Sequence, residues 1–320
     1  MKSATIAAID LGTNTARLLI GSCRDGRIER HHVSRRITRL GGGFTAEDGI
    51  SAEAAARTLS AMTDFAATLQ KFRVQRLKAV ATSAVRDAAN RESFCSEVKI
   101  ASGIDLEVIP GDIEGEMTLR GVVSGLDAQP DILLVFDVGG GSTEYTIARG
   151  NEVLFTRSLP LGVVRLTEGK GSIAAMSDKI RRELAVLLND VKAAGLASLL
   201  PGATLVATAG TATTLAAIDL GLADYDYRKV NNHLLTQATI SNIFQRLLPL
   251  SPAERVRQVI GLEEGREDLI IAGTLLTLMS MELFGITSLK VSDFGLLEGV
   301  LLDLANSCAS SFLPHSATFL

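Results

Sequence analysis

The stretch VFDVGGGSTEY, Val135 to Tyr145, ends an apolar run on Asp137 and continues through Gly139, Gly140 and Gly141 to Ser142, Thr143 and Glu144. Three successive glycines carry no β-carbons, so the backbone turns tightly and presents amide N–H groups to an anion at close range. Phosphate is the anion that suits such a turn. Carboxylates beside a phosphate repel it unless a divalent cation lies between them, and Mg²⁺ bridges a few carboxylates, waters and phosphate oxygens. The same order of apolar strand, aspartate and glycine turn occurs near the start of the chain, where IAAID runs into LGTNT and then ARLLIGSC. Asp10, Asp137 and Glu144 are therefore candidates to hold a metal, directly or through water. Mg²⁺ and Mn²⁺ both remain open. By contrast GGGF, Gly41 to Phe44, has no such strand before it and on its residues alone reads as a surface turn. No G-x-x-x-x-G-K-[ST] is present, which counts against a P-loop nucleotidase.

The elements that must position these residues alternate along the chain. The recurrence of strand, aspartate and glycine turn points to an internal duplication, with two similar lobes each giving one hairpin to a shared cleft. Ser51 to Phe72 has helical spacing, with Ala55, Leu59, Met62, Phe65, Ala66 and Leu69 near one face. LKAVATSAVRDAANRESF reads as a strand followed by a turn or helix start at Thr82 and Ser83; LEVIPGDIEGEMTLRGVVSG reads as a strand, then a helix from Asp112 or Ile113. Further helical stretches lie around Met176–Leu200, Thr236–Leu247 and Leu269–Phe284. Such alternation predicts an α/β fold. Gly125 to Asp131, GLDAQPD, is the best linker. The expected division is an N-terminal lobe over 1–127 and a C-terminal lobe over 128–299, with a helix in 300–320 packing back on the first.

Composition narrows the partners. With 320 residues, 47% hydrophobic and 21% charged, the chain can build two sizeable cores. It carries 36 acidic and 32 basic residues, a formal net charge of −4, so no global basic excess draws it to nucleic acid or anionic lipid. Cys23, Cys95 and Cys308 are isolated and odd in number, without disulfide or zinc spacing, which reads as a reducing cytoplasm. The short apolar run ended by Asp10 does not make a secretory signal. The uncharged stretch Ala193 to Ile218 is broken by Gly195, Pro201, Gly202, Gly210 and several threonines, and reads as helix end, turn, buried strand, glycine turn and new helix instead of a membrane span. His31 and His32, with Arg30, Arg35, Arg36 and Arg39, read as a solvated basic strand, with polyanion docking as the lesser alternative.

Taken together, AAIDLGTNTARLLI, ITRLGGGF, AVATSAVRDAANRESF, VIPGDIEG, FDVGGGSTEY, SLPLGVVRLTE, VATAGTATTLAAI and VSDFGLLEGVL span almost the whole chain. In that order they resemble the exopolyphosphatase and guanosine pentaphosphate phosphohydrolase family. This family lies within the acetate and sugar kinase, chaperone ATPase and actin superfamily. The resemblance implies two actin-like, ribonuclease H-like lobes and a metal-dependent site in the cleft. The implied reaction releases terminal phosphate from inorganic polyphosphate or guanosine pentaphosphate. It implies that Arg86 binds phosphate and Glu114 activates the attacking water, although pattern alone does not choose Glu114 over Glu116. It places Asp10, Asp137 and Glu144 around the metal, and Gly139, Gly140, Gly141 and Ser142 under the phosphates. Thr13 and Asn14 would reach them from the first lobe, and Gly210 and Thr211 would extend the anion track.

Two departures stand out. Ile113 replaces a glutamate that often precedes Glu114, and Leu297 stands where an arginine is common. The chain also stops soon after the second lobe, as a member with only the catalytic core would. Two other readings stay open: a polyphosphate or alarmone sensor with little turnover, and an ATP-dependent kinase of the superfamily with a purine pocket near Gly210 and Gly295. A homodimer is compatible with the sequence, which does not locate an interface.

Overall fold

In the strand Ile6–Leu11 every residue is buried, because the sheet it belongs to is covered on both faces. The alternation of a strand then divides its side chains between two cores. Ala7, Ile9 and Leu11 pack with Met62, Phe65 and Phe94, whereas Ile6 and Ala8 pack with Leu297, Val300 and Leu301. The chain is seen here as a computed structural model, which describes residues 4–309 except 25, 46 and 170.

Strands β1 (Ile6–Leu11), β2 (Thr15–Arg24), β3 (Arg27–Ile37), β4 (Arg76–Ala81) and β5 (Glu107–Val108) form a sheet in the order β3-β2-β1-β4-β5. Strands β6 (Ile132–Val138), β7 (Thr143–Arg149), β8 (Glu152–Leu159), β9 (Thr204–Thr208), β10 (Leu234–Thr236) and β11 (Ser288–Val291) form a second, in the order β10-β11-β9-β6-β7-β8. The two share a motif: β1 runs antiparallel to β2 and parallel to β4, as β6 does to β7 and β9. The registers match too, Asp10 opposite Arg17 and Asp137 opposite Glu144. The fold is thus α/β with two lobes of similar plan.

Two helices tie the lobes together. Gly111–Gly125 follows the first sheet but packs on β7 and β8 of the second; Leu296–Ala309 follows the second sheet but packs on β1, β2 and β4 of the first. They also pack on each other, backbone against backbone. A β-carbon added at Gly121 would fall 1.9 Å from the Gly295 carbonyl oxygen, and one at Gly299 1.8 Å from that of Met117. On the second sheet Leu133 and Val135 point to the Gly111–Gly125 helix, while Leu134, Phe136 and Val138 join the large core with Tyr145, Leu215 and Leu276. By period two, Asp137 shares the face of Leu133 and Val135, so strand geometry aims it at the crossing helices. Among the described residues no helix is long and apolar enough to cross a membrane. The 310–320 part of the expected C-terminal helix lies outside the described residues.

The basic strand stays solvent-facing, as its sequence suggests, but its arginines are paired. Arg30 is held by Asp293 and Glu298, both at 2.8 Å, with its guanidinium over the rings of Phe294 and Tyr227. Arg35 pairs with Glu263, Arg39 with Asp268 at 3.2 Å, and Arg36 with Asp64 at 3.6 Å. Carboxylates distant in sequence fold onto these cations, so the polyanion-docking reading of this strand loses its free charges.

Candidate active site

The two glycine turns meet face to face. The Gly12 amide donates to the Thr15 carbonyl at 3.0 Å, and the Gly139 amide donates to the Ser142 carbonyl at the same distance, so each hairpin closes in the same way. Gly140 and Gly141 sit against the first lobe: β-carbons there would come within 3.0 Å of the Thr13 side chain and 2.5 Å of Ser83 Oγ. The triplet therefore lets two hairpins from different lobes touch, in addition to baring its amides. Thr13 Oγ1 and Asn14 Oδ1 are buried there without a hydrogen-bond partner. Buried polar atoms are almost always satisfied, and orphans lining a cleft mark where a ligand's polar groups belong.

The cavity between the turns is lined by Asp10, Thr13, Asn14, Glu114, Asp137, the whole Gly139–Ser142 turn, Gly210 and Thr211. Of the sequence-predicted residues, Arg86 and Glu144 do not line it. Arg86 stands behind Glu114, donating from Nη1 to Glu114 Oε2 at 2.9 Å and to the Ile109 carbonyl at 3.1 Å. Glu144 is buried at the register position opposite Asp137 and accepts from Ser158 Oγ at 2.7 Å. The Gly111–Gly125 helix carries Glu114 in its first turn with Asp112, where negative charge suits the helix dipole. Ile113, where a second glutamate is common, packs partly buried against the apolar core beneath. Gly210 is in the first turn of the Ala209–Asp219 helix, and its missing β-carbon leaves room for the Arg266 guanidinium.

The acids are electrostatically strained. Burial and then the charge of Glu144 raise the pKa of Glu114 well above the usual carboxylate range, against the pull of Arg86. Burial and Asp137 push Glu144 up to about 7; burial raises Asp137 to about 6, with Asp10 adding to it and Arg17 and Thr118 opposing. Asp10 differs from the other acids: Arg17 grips its Oδ2 from Nη2 at 2.6 Å and Nε at 3.1 Å. Among the described residues no three His, Cys, Asp or Glu side chains gather as a metal-binding group. A closed protein cage is thus not what this site offers. Asp137, which lines the cavity with the buried Glu144 repelling it from behind, fits a hydrated Mg²⁺, which keeps most of its waters and needs only one or two carboxylates. Asp10, held by Arg17, stands across from that pair.

Three arginines were missed by the sequence reading. Arg17 and Arg266 line the cavity, and Arg165 bridges the lobes by donating to Ser83 Oγ at 3.2 Å and pairing with Asp87. Arg17 had a signal, since it follows Asp10 by the interval at which Glu144 follows Asp137. Arg266, in the loop GLEEGREDL, had none.

The model of the Ppx/GppA phosphatase family matches residues 19–308. The chain belongs to the Ppx/GppA phosphatase family. Exopolyphosphatase 2 of Mycobacterium tuberculosis is 35% identical over 321 residues, covering 94% of this chain and 98% of that protein. The guanosine-5'-triphosphate,3'-diphosphate pyrophosphatase of Aliivibrio fischeri is 34% identical over 185 residues, covering 56% of this chain and 37% of that protein. The crystal structure of the Aquifex aeolicus Ppx/GppA member superposes with a TM-score of 0.78 at 32% identity, covering 96% of this chain and 99% of that one. The fold is that of the actin-like superfamily to which Ppx/GppA proteins belong.

Proposed function

We propose that this Ppx/GppA protein is a metal-dependent exopolyphosphatase that releases terminal orthophosphate from inorganic polyphosphate, guanosine pentaphosphate or both. The observation that carries the reading is the meeting of the two turns. The Gly139–Ser142 turn and the unpartnered Thr13 and Asn14 atoms line one cavity, with buried Glu114 at its wall and Arg86 behind it. Backbone amides and the Thr13 hydroxyl can donate to phosphate oxygens without adding charge of their own, and the Asn14 Oδ1 atom can accept from a water beside them.

Glu114 positions a water in line with the terminal phosphorus and takes its proton as the water oxygen bonds to phosphorus and the bridging P–O bond breaks. Its raised pKa suits that role, because a carboxylate titrating nearer neutrality is the stronger base. Arg86 orients Glu114 and offers its remaining N–H groups to the phosphoryl oxygens. Asp137, backed by the charge of the buried Glu144, would hold Mg²⁺, which would supply positive charge to offset that of the phosphates. Both hairpins are needed to complete the cavity, so the two lobes must act together.

The test is phosphate release from long polyphosphate, short polyphosphate, guanosine pentaphosphate and ATP, with and without Mg²⁺, alongside Arg86→Ala and Glu114→Gln. Metal-dependent release that both variants lose supports the hydrolase. Binding of these anions at saturating Mg²⁺ with no release from any of them would make the protein a sensor.

A further inference from the structure

Asp87 is the residue after Arg86, and its carboxylate lies beside Ser83, which lines the cavity, in a donor set that resembles one built for phosphate. One oxygen, Oδ2, pairs with Arg165 and lies 3.4 Å from Ser83 Oγ; the other, Oδ1, lies 3.8 Å from Arg86 Nε. Each of these donors is tied to the proposed phosphate wall. Ser83 presses on Gly141. Arg165 belongs to a helix, Val163–Gly169, that hangs from the glycine turn, since the Val163 amide donates to the Gly139 carbonyl at 3.0 Å and the Val164 amide to Gly140 at 2.9 Å. Arg86 and Ser83 come from the first lobe and Arg165 from the second, so the carboxylate is gripped from both sides of the cleft.

We propose that Asp87 is an internal stand-in for a substrate phosphate: in the empty cleft it occupies Arg165, Ser83 and Arg86, and an incoming polyphosphate displaces it. A phosphate carries more charge and more acceptor oxygens than a carboxylate, so it wins these donors. Once displaced, Asp87 stays beside the bound chain and repels it. The residue therefore keeps Arg165 in place when the cleft is empty and lowers the affinity for polyanions when it is full. Both partners are about one-third exposed, 36% for Arg165 and 39% for Asp87, so the pair is open to exchange instead of being locked in a core.

This inference rests on the phosphoanhydride reading of the cleft, and binding can test it apart from turnover. The probe is inorganic tripolyphosphate, measured by calorimetry in the Glu114→Gln background so that it is not consumed. Asp87→Asn should tighten binding about three- to tenfold, the scale set by one partly exposed ion pair and a removed repulsion. Arg165→Gln should weaken binding, and adding Asp87→Asn to it should recover less than Asp87→Asn gains alone. Without anion, Asp87→Asn should speed amide exchange over 162–168, and tripolyphosphate should slow it again. Unchanged or weaker affinity in Asp87→Asn, or no tripolyphosphate binding by either form, overturns the stand-in. Tightening in a protein that releases no phosphate would sink the hydrolase and keep the stand-in; release without tightening would do the reverse.

Discussion

Asp137 and Glu144 make the stability of the empty protein depend on pH in a direction that a bound cation should reverse. Each binds its proton more tightly in the folded chain than in the unfolded one, at about 6 and about 7 against ordinary values of 3.8 and 4.5. The unfolded state thus sheds protons first, and folding stability falls as pH rises from about 4 through about 7, then levels off. At about 1.4 kcal/mol per pH unit, holding either group ionised costs the empty fold on the order of 3 kcal/mol. A divalent cation favours the ionised pair, so its stabilising effect must grow over the same window as binding releases protons. With roughly 2 °C per kcal/mol for a chain of this size, Mg²⁺ should raise Tm by about 5 °C more at pH 8 than at pH 5. Circular dichroism melts with Mg²⁺ or EDTA at pH 5, 6, 7 and 8 measure this directly. A cation-induced gain that is the same at every pH would refute the placement of the ion between these acids. Glu144→Gln should raise the Tm of the empty protein above pH 7 and flatten the profile.

Other consequences follow from single contacts. Glu114→Gln should lower phosphate release about 10²- to 10⁴-fold while tripolyphosphate binding persists, and near-normal release would move the base elsewhere. Arg30→Ala leaves the Asp293 and Glu298 carboxylates without their cation, so it should cost about 3–5 kcal/mol in urea unfolding; a loss under 1 kcal/mol would show that they find other partners. Gly121→Ala drives a methyl into the Gly295 carbonyl, and should lower stability by about 1–3 kcal/mol as the two helices part. An unchanged melting curve would mean that the crossing has slack.

The parts of the site that were legible in the sequence are those whose chemistry is local. Asp10, Asp137 and the glycine triplet announce a strand end and an anion turn within a few residues, and the Ala52–Lys71 helix follows from its apolar spacing and the Ser51 cap. What was not legible depends on partners far along the chain. Arg30 looks like one charge among six until Asp293 and Glu298 fold onto it, and Arg165 has no visible task until Ser83 and Asp87 face it. Strand β8 was hidden because EVLFTRSL runs from three consecutive apolar residues into Thr156, Arg157 and Ser158, with no period of two, and it is placed by pairing with β7 and by the Gly111–Gly125 helix that covers it. The new helix expected after the buried strand is present, but it begins at Ala209 without a separate turn at Gly210, entered through Ala209 in a left-handed conformation, φ +63, that sequence gives no reason to expect.

The contact of the two crossing helices at Gly121, Gly295 and Gly299 also sets where any rocking of the lobes would turn. Each helix leaves one lobe and lies against the other, so a rocking of the lobes turns about the place where their backbones touch. Displacement in such a motion scales with distance from the axis. Glu114 lies three residues, about 4.5 Å of helix rise, from Met117 at that contact. Opening wide enough to admit a polyanion would therefore leave the proposed base almost where it stood, and the protein could release its grip on the chain without displacing the group that activates the attacking water.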